Sequence, residues 1–348
     1  MRSSKRKRSR CWKRWPDSRV RVAGATPATN LLPAGLAGRF SGCTPAAGRS
    51  SSAATRPVRV DFVRFHCHGV DHVLHRPHRV VRIAVGLEYD GAAFCGWQTQ
   101  PSACSVQNAF EAALAAIAGV PVASVCAGRT DAGVHALGQV AHFDVAVPRP
   151  LTAWVRGVNT FLPPTIAVTW ARQASTEFHA RYSARSRTYR YVLLNRGERP
   201  GVMHRRVGWY HHALDLEAMR EAAQHLVGEH DFSAFRSAEC QSRSAVRRLF
   251  YIEIQRVDSF VTFDVRGNAF LHNMVRIIVG CLIEVGAGKR SPAWLAQVRD
   301  ARERARAAAT ADAAGLYLVG VNYDEHLGLP HPALAFAPGG DGSPVSCR

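Results

Sequence analysis

No stretch of this 348-residue sequence offers the roughly 18 to 20 consecutive apolar residues that a membrane helix needs. The longest candidate, residues 270–285, is interrupted by His272, Asn273, Arg276 and Glu284, so a soluble protein with no membrane partner is expected. The nine cysteines are scattered, with no Cys-x-x-Cys pair. That spacing supports neither a disulfide framework nor a zinc site, and free thiols in a reducing cytosol are expected. Also missing are the Gly-x-x-x-x-Gly-Lys-Ser/Thr and Gly-x-Gly-x-x-Gly phosphate loops, the His-Glu-x-x-His metal helix and the Gly-x-Ser-x-Gly elbow. His225, His230 and Asp231 form no recognisable ligand set. Chemistry needing no cofactor and no metal is therefore expected.

Acidic residues are scarce: 26 Asp and Glu stand against 45 Lys and Arg, a formal net charge of +19. The excess is uneven. Residues 1–80 carry 17 Lys and Arg against three Asp, whereas the other 268 residues carry 28 basic and 23 acidic side chains. Overall basicity suggests a polyanionic partner, but most of it sits in the N-terminal segment. In the body, nine Arg between 172 and 206 face only Glu177 and Glu198. Such a cluster suits bidentate phosphate contacts, and equally a solvated strand face.

Residues 1–79 open with Lys5-Arg6-Lys7-Arg8 and continue in Pro-, Ala-, Gly- and Ser-rich text without periodicity. Such composition buries too little apolar surface to offset its ordering entropy. Three origins are open for it: a disordered basic tail, translated sequence upstream of the true start, or a targeting segment. The histidines at 66, 68, 72, 75 and 78 have no ordered scaffold to make them a metal site.

Organised sequence begins near Val80. Strands are expected over 82–89, 122–126, 139–145 and 166–172, with a helix after Ser105 carrying Val106, Phe110, Leu114 and Ile117 and stopped by Gly119. A second helix is expected over 151–161, before Pro163-Pro164. A similar cycle follows: strands over 188–194, 250–254, 260–265 and 316–321, and helices after Asp215 and over 270–285 and 292–306. Two related α+β domains, 80–185 and 186–330, are expected, with a loose tail over 331–348.

Three segments carry chemistry. Gly128-Arg129-Thr130-Asp131-Ala132-Gly133-Val134-His135-Ala136 puts one carboxylate between glycines that permit close approach. Asp131 there is either a held nucleophile or base, or an Asx-turn with a surface ion pair. In 267–280, treated as one apolar helix, Arg276 falls on a narrow seam with His272, Asn273 and Gly280. A guanidinium so placed needs a carboxylate or phosphate, and Asp131 is the natural candidate; a structural ion pair or a snorkelling arginine is the alternative. In Arg185-Ser186-Arg187-Thr188-Tyr189-Arg190-Tyr191 the tyrosines alternate with arginines, as in strands that stack an unpaired base, or in ordinary core.

Together with Leu87-Glu88-Tyr89-Asp90-Gly91, Gly96-Trp97-Gln98, Asp231-Phe232-Ser233-Ala234-Phe235-Arg236, Cys240-Gln241-Ser242-Arg243 and Gly315-Leu316-Tyr317-Leu318-Val319, these segments resemble the bacterial tRNA pseudouridine synthase A family over roughly residues 80–330. The resemblance implies an α+β fold of two ferredoxin-like (RRM-like) domains whose antiparallel sheets meet at a basic cleft. It implies a cytoplasmic homodimer, without cofactor or metal, that grips the anticodon arm of tRNA. The implied reaction isomerises uridine to pseudouridine at positions 38, 39 and 40. Carried onto this chain, Asp131 is the nucleophile, Arg276 its basic partner, Tyr189 the aromatic that stacks on the target base, and Arg129 the residue that holds the base out of the stack. The departures are the first 79 residues and Ala103-Cys104-Ser105-Val106-Gln107, where Thr-Val-Gln is usual. A pseudouridine synthase with another RNA target, or a non-enzymatic RNA-binding protein, are the alternatives.

Overall fold

Strands and helices alternate twice along the chain in the computed structural model, which describes residues 80–330. The basic segment 1–79, its histidines and the tail 331–348 lie outside the described residues. The first cycle runs β1 (Val81–Tyr89), α1 (Val106–Ala118), β2 (Ser124–Cys126), β3 (His135–Val145), α2 (Val158–Phe161) and β4 (Ile166–Ala174). The second runs β5 (Ser186–Asn195), β6 (Gly208–Tyr210), α3 (Leu216–Gln224), β7 (Gly228–Asp231), β8 (Val246–Val257), β9 (Phe260–Gly267), α4 (Met274–Gly286), α5 (Trp294–Ala301) and β10 (Leu316–Asn322). Among the described residues no helix is long and apolar enough to cross a membrane.

Local chemistry explains the helix ends. Ser105 caps α1 by accepting from the Asn108 N–H, and Gly119 closes it in the left-handed conformation, φ 76°. Val106, Phe110, Ala113, Leu114 and Ala118 are the residues α1 buries, spaced to form one stripe. Burying a side chain such as Phe110 stabilises the fold by about 2 kcal/mol. Asp215 caps α3 through the Ala218 N–H. The expected helix over 151–161 is entered by a π-turn, Ala153–Gly157, before α2 proper.

All ten strands among the described residues join one sheet. The first cycle orders its strands β4-β1-β3-β2 and the second β10-β5-β9-β8; with the short β6 (beside β5) and β7 (beside β8) set aside, both read fourth, first, third, second in chain order. The two sets are stitched by β10, which pairs antiparallel with β5 and, through Tyr317 and Leu318, parallel with His135 and Ala136 of β3. This junction brings the start of β3, and hence the loop just before it, beside β5. One apolar cluster runs through both cycles beneath the helices. A smaller one, built on Val192, Leu194, Val207, Tyr317 and Val319, fills the other face of β5 and β10.

Two expectations are corrected. The helix expected over 270–285 begins only at Met274, because Asn273 is left-handed (φ 61°) and breaks the spiral. Phe270, Leu271 and His272 therefore lie on a turn instead of on the helix surface. Cys95 and Cys104, expected as free thiols, form a disulfide. The loop between them folds back through left-handed Gly96 and Ala103, bringing their Cα atoms to 5.5 Å, within bridging range. Cys126, Cys240 and Cys281 are free.

Much of the arginine cluster is occupied within the protein. Arg190 makes a bidentate pair with Asp264, directly opposite on β9, with both contacts at 2.7 Å. Arg185 pairs with Asp324 and Arg206 with Asp90.

Candidate active site

A cleft of about 970 Å³ opens where the loop before β3, the start of β5 and the turn before α4 converge. The sequence places Asp131 in that first loop, and the loop is heavily constrained. The buried Gln139 side chain reaches back from β3 to Gly128, donating to its carbonyl at 2.6 Å and accepting from its N–H at 3.4 Å. The Thr130 carbonyl accepts from the Trp97 N–H at 2.9 Å, and the Thr130 hydroxyl bonds the buried Tyr89 hydroxyl at 2.7 Å. A Cβ on Gly96 would sit 2.7 Å from the Thr130 carbonyl oxygen, so only glycine permits that approach. Past Asp131 the chain turns sharply: its carbonyl accepts from the Val134 N–H at 3.1 Å, with Gly133 at φ 78°.

The Asp131 carboxylate projects into the cleft, with 27% of the side chain exposed. Burial lifts its pKa above the ordinary value of 3.8; the charges of His272 and Arg276 and the Asn273 N–H pull it back. Its direct partner is His272, whose Nε2 lies 3.1 Å from Oδ1. This corrects the expected ion pair with Arg276. Arg276 instead donates from Nε to the Ala311 carbonyl at 2.8 Å and from Nη1 to Asn273 Oδ1 at 2.7 Å. It thus reaches Asp131 through its field and by fixing the left-handed residue that ends the His272 turn.

Tyr189 lies on β5 and lines the cleft with 8% exposure. Its ring meets Phe270 edge-to-face, centroids 5.0 Å apart and planes at 82°. Burial and, after it, the Asp131 carboxylate raise the Tyr189 pKa, which keeps the phenol neutral. Arg129 is exposed and lines the same cleft, with no hydrogen bond or ion pair to the described residues. Asp131, Tyr189, Arg129 and the turn held by Arg276 are thus brought to one cavity from both halves of the chain.

The other polar groups of the motif serve elsewhere. His135 packs flat on Tyr317, centroids 4.6 Å apart. Its Nε2 faces the Arg205 carbonyl at 3.1 Å, while Nδ1 lies 3.1 Å from both the Gly91 N–H and Asp90 Oδ1. An Nε2–H bonded to the carbonyl leaves Nδ1 to accept from Gly91; burial lowers the His135 pKa, which favours this neutral form over an ion pair with Asp90. Cys126, at the cleft wall, has its thiol pushed up to about 12 by burial and is a poor nucleophile.

His272 and Phe270 were not legible as site residues. The available signal was Asn273, a residue that tolerates the left-handed conformation, standing just before an unbroken apolar run.

The family model described as tRNA pseudouridine synthase matches residues 87–183 and 222–324. Curated relatives are similar over most of their own length. The "tRNA pseudouridine synthase A" of Thiobacillus denitrificans is 55% identical over 251 residues, 72% of this chain and 96% of that protein. Those of Dechloromonas aromatica and Burkholderia multivorans are 52% and 53% identical, covering 74% of this chain and 99% and 96% of theirs. A solved structure, the archaeal box H/ACA sRNP Nop10-Cbf5 complex, aligns with TM-score 0.28 and 14% identity over 58% of this chain and 44% of that one, too weak a likeness to bear on the fold. A model matched in both cycles of the fold, and relatives identical at half their positions, place this chain in the tRNA pseudouridine synthase family.

Proposed function

We propose that this isomerase converts uridine to pseudouridine at positions 38, 39 and 40 of the tRNA anticodon stem-loop, with Asp131 as nucleophile. Family membership makes it a tRNA-modifying isomerase; the carboxylate is the finer claim. The observation that carries it is Asp131 itself, a half-buried carboxylate facing a cleft, with the His272 imidazole at 3.1 Å and an aromatic ring beside it.

The target base is flipped out of its stem, at a cost of about a few kcal/mol. Tyr189 offers it a stacking face, and Arg129 at the rim holds the extruded nucleotide. The ionised Asp131 attacks, at C6 of the base or at C1′ of the sugar. The C1′–N1 bond breaks, uracil turns, a C1′–C5 bond forms, and the bond to Asp131 breaks, returning the free carboxylate. C5 loses a proton and N1 gains one, so the isomerisation balances without an oxidant. A cleft closed around the free base keeps it from leaving. His272 and Arg276 favour the ionised carboxyl that attack requires.

The repeated strand order supports two ferredoxin-like halves, 80–185 and 186–330, with a basic cleft to which Arg129, Arg181 and Arg247 contribute. The working form we propose is a cytoplasmic homodimer on one tRNA.

Mapping the modified positions tests the specificity. Transcribed tRNA treated with the protein should show pseudouridine at 38, 39 or 40 and at no other uridine. Modification of another arm, or of unrelated RNA at the same rate, would overturn the anticodon assignment.

A further inference from the structure

We propose that Arg187 is a positioning residue that sets the spacing between Asp131 and His272; the proposal rests on the reading of Asp131 given above. Arg187 stands on β5 with 8% of its surface exposed, and among the described residues no carboxylate lies within ion-pair distance of it. A guanidinium is costly to bury unless its donors are satisfied. Here the four Nη–H donors are satisfied by carbonyls alone. Nη1 donates to Ala184 at 3.2 Å and to Asn268 at 2.9 Å; Nη2 donates to Ala127 at 2.9 Å and to Arg181 at 2.6 Å.

Those four carbonyls belong to three separate stretches. Ala127 begins the loop that reaches Asp131 four residues later. Asn268 begins the turn that reaches His272 four residues later. Arg181 and Ala184 lie in the connection between the two cycles of the fold. No other described side chain is bonded to both Ala127 and Asn268. The Asn268 turn is itself stiff, since its Oδ1 accepts from the Arg248 and Ala269 N–H groups at 3.0 and 2.7 Å. Fixing its carbonyl therefore fixes the turn.

The geometry matters because the Asp131–His272 contact spans the two halves of the chain. A planar fork with donors on both nitrogens can tie both sides at once, whereas a lysine ammonium is a point charge that cannot span them. A misplacement of about 1 Å at a reacting pair costs on the order of a hundredfold in rate. A purely stabilising residue would have no reason to couple these two loops.

The test compares the full-length protein with Arg187→Lys and Arg187→Ala, using tritium release from C5-labelled tRNA and amide hydrogen exchange. The expected Arg187→Lys protein folds, loses about tenfold in kcat with KM for tRNA changed less than about threefold, and exchanges faster in 128–133 and 269–273 together. Guanidinium ion should restore part of the Arg187→Ala activity, and ammonium should not. If Arg187→Ala fails to fold, Arg187→Lys carries the test. Unchanged kcat, or faster exchange spread over the whole chain or confined to one loop, would overturn the proposal. Wild-type protein that releases no tritium would sink the functional reading instead, and the paired exchange in the two loops would still decide the role of Arg187.

Discussion

The middle of the sheet and the cleft each hold a carboxylate beside a basic side chain, and the two pairs are built differently. On β5 and β9, Arg190 and Asp264 face each other in register, joined by two 2.7 Å contacts, with side chains 12% and 13% exposed. In the cleft, Asp131 and His272 come from loops of opposite halves, share one 3.1 Å contact and are 27% and 30% exposed. The first pair has its geometry dictated by strand register and its carboxylate oxygens filled. The second leaves carboxylate surface open to the cleft. A pair that uses up its carboxylate's acceptors holds a fold together; one that leaves an acceptor facing a cavity can react.

The largest expected effect breaks the second pair. Asp131→Asn should abolish isomerisation, by at least about a thousandfold in kcat, with thermal stability close to wild type. Breaking the first pair should do the reverse. Asp264→Ala deprives Arg190 of its carboxylate and should cost about 3 kcal/mol of stability, read as a lower urea midpoint, while the folded protein keeps its kcat. Loss of kcat without loss of stability in Asp264→Ala would erase the distinction between the pairs.

A smaller effect sharpens the role of His272. Attack needs the ionised carboxyl, so activity is present above the Asp131 pKa and lost as pH falls through it. Burial already sets that point above 3.8. His272→Gln removes a charge that pulls it down, so the acid limb of the pH–rate profile should move to higher pH, with kcat at neutral pH reduced about tenfold. An acid limb that stays in place would show that His272 does not act on the carboxyl. The smallest effect is expected from Tyr189→Phe, which keeps the stacking face. Its kcat should stay within about threefold, against a loss of about a hundredfold for Tyr189→Ala.

The parts legible in the sequence are those governed by local rules. Ser105 and Gly119 bracket α1 because a side-chain oxygen and a left-handed glycine are what helix ends need. Asp131 could be singled out because glycines flank it in a turn. What was not legible depends on contacts distant in sequence. β6 and β7 are three and four residues long, too short for a periodic signal. The turn at 270–273 carried apolar residues that continue the helical stripe, and only the left-handed Asn273 reveals where the spiral starts. By sequence Arg276 and Asp131 are natural partners because each needs one; His272 holds that place because the turn, released from the helix, can reach across the cleft. The Cys95–Cys104 pair depends on a loop folding back at two left-handed residues, which spacing alone does not disclose.

Tritium release from C5-labelled tRNA, compared between the full-length protein and its Asp131→Asn variant, decides whether that carboxylate is the nucleophile. The wild type should release tritium and the variant none above background, with circular dichroism and melting temperature matching the wild type. Release by a folded Asp131→Asn protein at a comparable rate would contradict that role, and the nucleophile would have to be sought elsewhere.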